Sequence, residues 1–360
     1  MGDSAGGGES LMALRLSRVL GSLIAIGLAL LTASLFIGLA GANPVRAYYY
    51  MFVKGAFGNS VTAVETLVRA TPILLVSLGL AVAFTARVWN IGAEGQLYMG
   101  GLVAAWVGLS LGGLPSSVGL TVMLLSSALA GAAWALIPAV LRAKYEINEI
   151  FTTVIMNYIA LYLVSYFLTG PLRDPVSQFP ESPTLPQSLW MPRLVQGVRL
   201  HLGILVAILV ITPIVHFLRE KTTFGFRLKL VGANPEAARY SGTDIGSIVV
   251  LSMLISGLLA GLAGGIEVSA IQHKMRMELS PGYGFTGIAV ALLGNLNAVG
   301  VLLASIFMGA VINGSYTMHR MAHIPVGMAY LIQGLVIVFA VASEPISERI
   351  FRREVVESAD

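Results

Sequence analysis

Three hundred and sixty residues carry a formal net charge of +4, and 56% of them are hydrophobic against only 11% charged. A water-facing domain needs about a quarter of its residues charged, so a soluble globular fold is excluded. Absence of cysteine excludes disulfides, thiolate metal sites and a cysteine nucleophile, and no basic stripe interleaved with aromatics supports nucleic-acid binding.

The chain opens on a Gly- and Ser-rich, acidic stretch, unlike the basic start of a secretory signal. A tail over 1–18 ends with Arg15 and Arg18, and an apolar span follows near 19–42. Further apolar runs predict spans near 62–86, 92–112, 116–141, 149–169, 200–219, 246–270, 284–297, 298–318 and 325–343. A helix needs about 20 apolar residues to cross a bilayer. The expected fold class is therefore an all-α polytopic membrane protein of about ten transmembrane helices. It forms a single transmembrane domain over 19–343, with tails at 1–18 and 344–360. The eighth span is short and contains Gly287, Gly294 and Asn295, which predicts a tilted or broken helix lining a cavity or buried in protein.

Three intervening segments have their own character. Residues 43–60, with Tyr48, Tyr49, Tyr50 and Phe52, read as an interfacial stretch, because aromatic rings favour the headgroup level. Residues 170–199 contain Pro171, Pro175, Pro180, Pro183, Pro186 and Pro192, which stop the helix and stiffen an outer loop. Residues 219–245 form a basic inner loop. Placing the N-terminus inside puts thirteen of the 22 Lys and Arg residues on inner segments, in the sense of the positive-inside rule.

Polar residues recur in patterns within this apolar frame. In Trp89-Asn90-Ile91-Gly92-Ala93-Glu94-Gly95-Gln96, Asn90 can cap the third span and Glu94 sits near the positive end of its dipole. Glu94 and Gln96 are costly in a membrane unless they face a cavity or a partner. Glu149, Thr153 and Asn157 recur every four residues and share one helix face. Such a stripe turns either to a pore or to a neighbouring helix that it hydrogen-bonds. Glu65 and Arg69, one turn apart, read as an ion pair along one helix. Glu267 lies near the outer end of the seventh span, lining the pathway or reaching the interface.

The inner loop holds Gly232-Ala233-Asn234-Pro235-Glu236-Ala237-Ala238-Arg239-Tyr240-Ser241-Gly242. Asn234 suits an N-cap, Pro235 the first helical position, Glu236 the positive dipole end, and Gly242 the stop. This predicts a helix of about two turns, too short to span. It is either a surface connector or a docking element for a partner. Ser280-Pro281-Gly282-Tyr283-Gly284-Phe285-Thr286-Gly287, continuing to Gly294, Asn295 and Asn297, permits close packing or an irregular path through the bilayer.

Glu236-Ala237-Ala238 followed by Gly242 resembles the EAA motif of bacterial ATP-binding-cassette (ABC) importer permeases. No Ile-x-Leu-Pro ending follows, a departure that points to the branched-chain amino acid, ribose and nucleoside group. The Asn90-to-Gln96 segment is similar to the signature of that group's nucleoside and simple-sugar permeases. The stretch from Asn148 to Tyr158, with Gly170-Pro171-Leu172-Arg173-Asp174-Pro175, looks closest to the nucleoside permeases. The stretch from Ser280 to Gly294 is similar to the same group, and the four matches together run from about residue 70 to about 310.

The resemblance implies a short cytoplasmic coupling helix at Gly232, Asn234, Pro235, Glu236, Ala237, Ala238, Arg239 and Gly242, seated on a separate ATPase subunit. It also implies a second homologous permease subunit, a periplasmic or lipoprotein solute-binding protein, and a place in the bacterial inner membrane with both termini cytoplasmic. The chain has no phosphate loop of the Gly-x-x-x-x-Gly-Lys-Ser/Thr type, so ATP and magnesium belong to the ATPase and no cofactor is expected here. Asn90, Glu94, Gln96, Thr153, Asn157 and Asn295 are the candidates for the translocation pathway. The expected function is import of a nucleoside, with a simple sugar such as ribose or a stand-alone secondary transporter as alternatives. An intramembrane enzyme would need a catalytic pair or metal cluster, and the spacing of His273, His319 and His323 offers none.

Overall fold

The computed structural model describes residues 4–111, 113–325, 327–328 and 330–342. The expected tail at 344–360 lies outside the described residues. The described residues are mostly helical, and the only extended pairing among them is two isolated bridges, Glu181 with Arg276 and Arg193 with His201.

The elements follow the apolar runs: α1 (Ser4–Leu39), α2 (Pro44–Tyr48) continuing into a π-helical turn (Tyr49–Ala56), α3 (Ser60–Thr85), α4 (Ala93–Ser110), α5 (Ser116–Tyr145) and α6 (Glu149–Thr169). A rod of α7 (Leu202–Leu205), a π-helical stretch and α8 (Thr212–Glu220) comes next. After it come α9 (Thr223–Ala233), α10 (Pro235–Tyr240), α11 (Ile245–Glu267), α12 (Tyr283–Leu293), α13 (Ala298–Ala322) and α14 (Tyr330–Ala342). Seven of these helices or helix runs are long and apolar enough to cross a membrane. With the shorter α4, α12 and α14, a helix stands in each of the ten predicted spans. Side-chain caps set several starts. Asn59 and Thr62 form a reciprocal capping box on α3, Asn148 accepts from Ile150 N–H on α6, and Asn297 accepts from Val299 N–H on α13. Each satisfies backbone donors that a helix start leaves free.

Burial is graded. The apolar window of α3 is 89% buried, whereas those of α1, α5, α6 and α7–α8 are 22–33% buried and form the rim. At the centre α11 lies against α3, α4 and α5. Glycine lets these backbones touch. A Cβ on Gly131 of α5 would stand 2.2 Å from the Gly257 carbonyl oxygen, and one on Gly264 would stand 2.0 Å from that of Leu97. Lipid offers helices no hydrophobic drive to associate, so such close contact is what holds them.

Two sequence expectations change. Residues 43–60 do not simply lie at an interface. Met51, Gly55 and Ala56 are buried, Gly314 of α13 packs on the Met51 carbonyl, and Asn313 donates to the Gly55 carbonyl. Nor do Glu65 and Arg69 pair along α3. Glu65 forms an ion pair with Arg199, and Arg69 donates to the Tyr283 hydroxyl (3.3 Å).

The proline-rich loop is laced to the turn after α11. Ser182 N–H donates to the Met275 carbonyl (2.9 Å), Leu185 N–H to that of His273 (2.8 Å), and Met191 N–H to that of Ser269 (3.0 Å). Trp190 stacks on His273 with ring centroids 3.8 Å apart. Glu181 accepts from Lys274 (2.6 Å) and Arg276 (3.1 Å). The hydrogen bond from Lys274, followed by that from Ser177, holds the Glu181 carboxyl below its ordinary value of 4.5. A depressed carboxyl contributes fully above that ordinary value and loses its contribution as pH falls through the lower, folded-state one. Amide-exchange protection over residues 181–191, corrected for intrinsic rates, should therefore stay flat from pH 7 to about 4.5 and decline below. Glu181→Gln should show lower protection at neutral pH and no such decline. A variant matching the unsubstituted protein at every pH would remove the clamp from the account.

Candidate translocation and coupling sites

The polar stripe of α6 bonds backbone. Glu149 takes the Trp89 N–H (3.3 Å) while pairing with Arg142 (3.2 Å). Thr153 takes the Ile91 N–H (3.3 Å). Asn157 accepts from Gly95 N–H (2.7 Å) and donates to the Ile91 carbonyl (2.9 Å). The irregular segment between α3 and α4, whose backbone would be unsatisfied within a membrane, is thus fastened one turn at a time to a neighbouring helix. Gly92 and Gly95 allow this approach, because a Cβ on either would press on Thr153 or Asn157.

Asn90 turns inward from the same segment. Its side-chain amide donates to Gln96 (2.9 Å) and to Ser256 of α11 (2.9 Å), and it accepts from Gln96 (3.0 Å). Asn90, Gln96, Thr153 and Asn157 therefore form one buried cluster joining α4, α6 and α11. Ser256 is a member that sequence reasoning passed over, since a lone serine in an apolar helix carries no distinguishing signal.

Glu94 faces the other way. Buried, it accepts the Gly284 N–H (2.6 Å) at the start of α12. Gly282 precedes this helix with φ +93°, a left-handed conformation that suits glycine. The positive end of α12 thus meets a carboxylate inside the protein. As expected of the short eighth span, α12 has 11 residues and is mostly buried in protein. Asn295 lies past its far end, about 15 Å of helix away. It has left-handed φ, which asparagine tolerates, and it bonds Ser22 of α1 (3.0 Å). Among the candidates Asn295 alone stands outside the assembly around α4. Glu267 is buried within electrostatic reach of Arg69 and Arg199.

At one end of the rod, α9 and α10 form the loop 219–245. Asn234 caps α10, accepting from Glu236 N–H (3.0 Å) and Ala237 N–H (3.2 Å), with Pro235 at the first turn. Gly242 takes φ +78° just beyond it. Only Ala238 of this helix is buried; Glu236, Arg239 and Tyr240 are exposed, Tyr240 at 93%. Gly232 rests on the end of α3, where a Cβ would come within 2.0 Å of the Thr85 carbonyl oxygen. The loop therefore shows one face to the outside and touches the buried core with the other.

Residues 62–341 match the family described as "Branched-chain amino acid transport system / permease component". This chain belongs to that family. It is 37% identical to the guanosine ABC transporter permease protein NupP of Bacillus subtilis, over 92% of this chain and 95% of that protein. It is 36% identical to the glucose ABC transporter permease protein TsgB13 of Haloferax volcanii, over 84% of this chain and 81% of that one. It is 31% identical to the nucleoside ABC transporter permease protein NupB of Lactococcus lactis, over 83% and 84%. The chain is thus a multi-pass permease subunit of the ABC transporter type and not an enzyme. Permease components of this kind operate with ATPase and binding-protein partners in general.

Proposed function

We propose that this permease subunit imports a nucleoside across the bacterial inner membrane, with both termini and the loop 219–245 on the cytoplasmic side. The observation that carries the coupling is the α9–α10 loop, with a capped, outward-facing helix on one side and Gly232 against α3 on the other. An ATPase subunit seated on Pro235–Tyr240 would push through α9 onto the end of α3, the most buried span. ATP and magnesium stay with that subunit, and no cofactor is held by this chain. A second homologous permease completes the membrane part, and a solute-binding protein delivers to the end that carries the 170–199 loop. Glu94 and the cluster of Asn90, Gln96, Thr153 and Asn157, with Asn295 at the far end of α12, border the pathway and reach the solute as the helices part in alternating access.

Uptake of radiolabelled nucleosides and pentoses, in cells with and without this chain, tests the reading. Loss of nucleoside uptake alone supports it. Loss of pentose or hexose uptake alone would favour the second reading, a sugar permease, for which the 36% identity to TsgB13 speaks. Uptake that persists without the ATPase would sink the coupled mechanism. The coupling helix has its own test. Tyr240→Ala should cut uptake about tenfold, the scale set by losing an exposed aromatic anchor worth roughly 1–2 kcal/mol at an interface. The melting temperature of the isolated chain should not move, because Tyr240 is almost wholly exposed. Undiminished uptake would remove α10 from the contact.

A further inference from the structure

Burial on α6 is two-faced. Glu149, Thr153, Asn157, Ala160 and Val164 turn inward, and the opposite face presents Phe151, Ile155, Tyr158, Tyr162 and Tyr166. The three tyrosines are 61%, 76% and 63% exposed, and their hydroxyls make no hydrogen bond among the described residues. Other rim helices are different. The outward stripe of α1 is Leu20, Leu28, Leu31 and Leu35, and that of α5 includes Val122, Leu125 and Leu129, the composition lipid tails accept. A tyrosine is at home at the headgroup level, where its hydroxyl meets water. Residues four apart rise about 6 Å on a helix, so the three rings cover about 12 Å of depth. Tyr158 sits at the midpoint of the 21-residue helix, Tyr162 one turn further and Tyr166 near the end. If α6 spans a bilayer along its length, Tyr166 alone of the three falls within a turn of a helix end, where headgroups lie. In hydrocarbon the other two hydroxyls would be unsatisfied, at a cost that a leucine avoids.

We infer that the Tyr158–Tyr162–Tyr166 face of α6 lines the solute pathway, where its rings stack on the planar base of a nucleoside and its hydroxyls stay in water. The inference rests on the nucleoside reading and deepens it by assigning the groups that meet the base. Stacking on aromatic side chains tolerates any base, because each has a π-face, and successive rings give a passing solute repeated equivalent contacts rather than one deep well. The inward face of the same helix, with Thr153 and Asn157, is the one fastened to the 86–96 segment, so the ladder lines the pathway as it stands and the buried cluster behind it reaches the solute only as the helices part. A shift of α6 would therefore move the ladder and the buried cluster together.

The cysteine-free chain provides a clean background. Tyr158→Cys and Tyr162→Cys, each in the assembled transporter with its ATPase, partner permease and binding protein, would be exposed to a charged methanethiosulfonate reagent. Leu31→Cys serves as the lipid-side control. Both tyrosine positions should be labelled, the control should not, and guanosine or uridine under turnover should slow labelling at least threefold. Labelling only by a lipid-soluble maleimide would overturn the inference, as would a disulfide forming between two copies of the chain. Protection by glucose or ribose and not by nucleosides would overturn the base-stacking assignment. Should a cysteine variant fail to assemble, Tyr→Phe and Tyr→Leu at the same positions decide. Phe should keep at least half of nucleoside uptake and Leu less than a fifth, whereas equal uptake by both would overturn stacking. Nucleoside uptake by the unsubstituted chain, measured in parallel, separates the two readings. Uptake with unlabelled thiols sinks the ladder alone, and labelled thiols without nucleoside uptake sink the substrate.

Discussion

Gly261→Val is expected to leave almost no folded protein in the membrane. A Cβ at this position would lie 2.3 Å from the Ser127 carbonyl oxygen, and the neighbouring atoms are the Gly131 backbone of α5. From the other side, Gly100 of α4 leans on the Gly261 carbonyl, so a Cβ there would stand 2.3 Å from that oxygen. Three helices therefore meet at one residue with no flexible side chain to give way. Overpacking a well-fitted core costs about 1–3 kcal/mol and occasionally more. Here backbone must separate from backbone, so roughly 3 kcal/mol or more is expected, a large part of a total stability of about 5–15 kcal/mol. The comparison is Gly27→Ala on α1, where a Cβ meets nothing within 4 Å. It should be neutral or slightly stabilising, since alanine favours a helix by up to about 1 kcal/mol over glycine. Membrane abundance and detergent melting of the two variants give the test. Similar behaviour of the pair would show that close backbone packing at Gly261 does not limit the fold.

Glu94→Leu should be the next most damaging change. It leaves the Gly284 N–H without its acceptor and removes the carboxylate facing the positive end of α12. Leaving a buried N–H without its acceptor costs about 1–3 kcal/mol. A loss of that size is expected, read as a fall in detergent melting temperature together with lost uptake. Glu94→Gln keeps an acceptor and should lie between. Were Glu94→Leu to melt normally and lose uptake alone, Glu94 would serve the solute and not the helix.

Hydropathy made the frame legible. Each predicted span holds a helix because a membrane leaves the backbone no alternative partner, and even the shortness of α12 showed in Gly287, Gly294 and Asn295. The α10 helix was equally readable, since Asn234, Pro235 and Gly242 act on their own neighbours. Partners distant in sequence were not. Glu65 and Arg69 stand at the spacing of a helical pair, yet Arg199, 134 positions away, claims Glu65. Spacing places Glu149, Thr153 and Asn157 on one face but cannot say what that face meets. The structure supplies backbone atoms of the 86–96 segment. Ser256 and Tyr283 escaped for the same reason, being ordinary residues made polar hubs by what folds against them.

The fastening of that segment to α6 has a further consequence, for how the chain can change over generations. Three side chains on α6 grip main-chain N–H and carbonyl groups, which every residue type but proline supplies. Positions 89 and 91 can therefore exchange their side chains without loosening the grip, whereas 149, 153 and 157 cannot. Gly92 and Gly95 are held by want of room. Substitutions should accumulate on one side of this contact and be purged from the other, a lopsided tolerance that a saturation library over residues 86–96 and 149–157 would display directly.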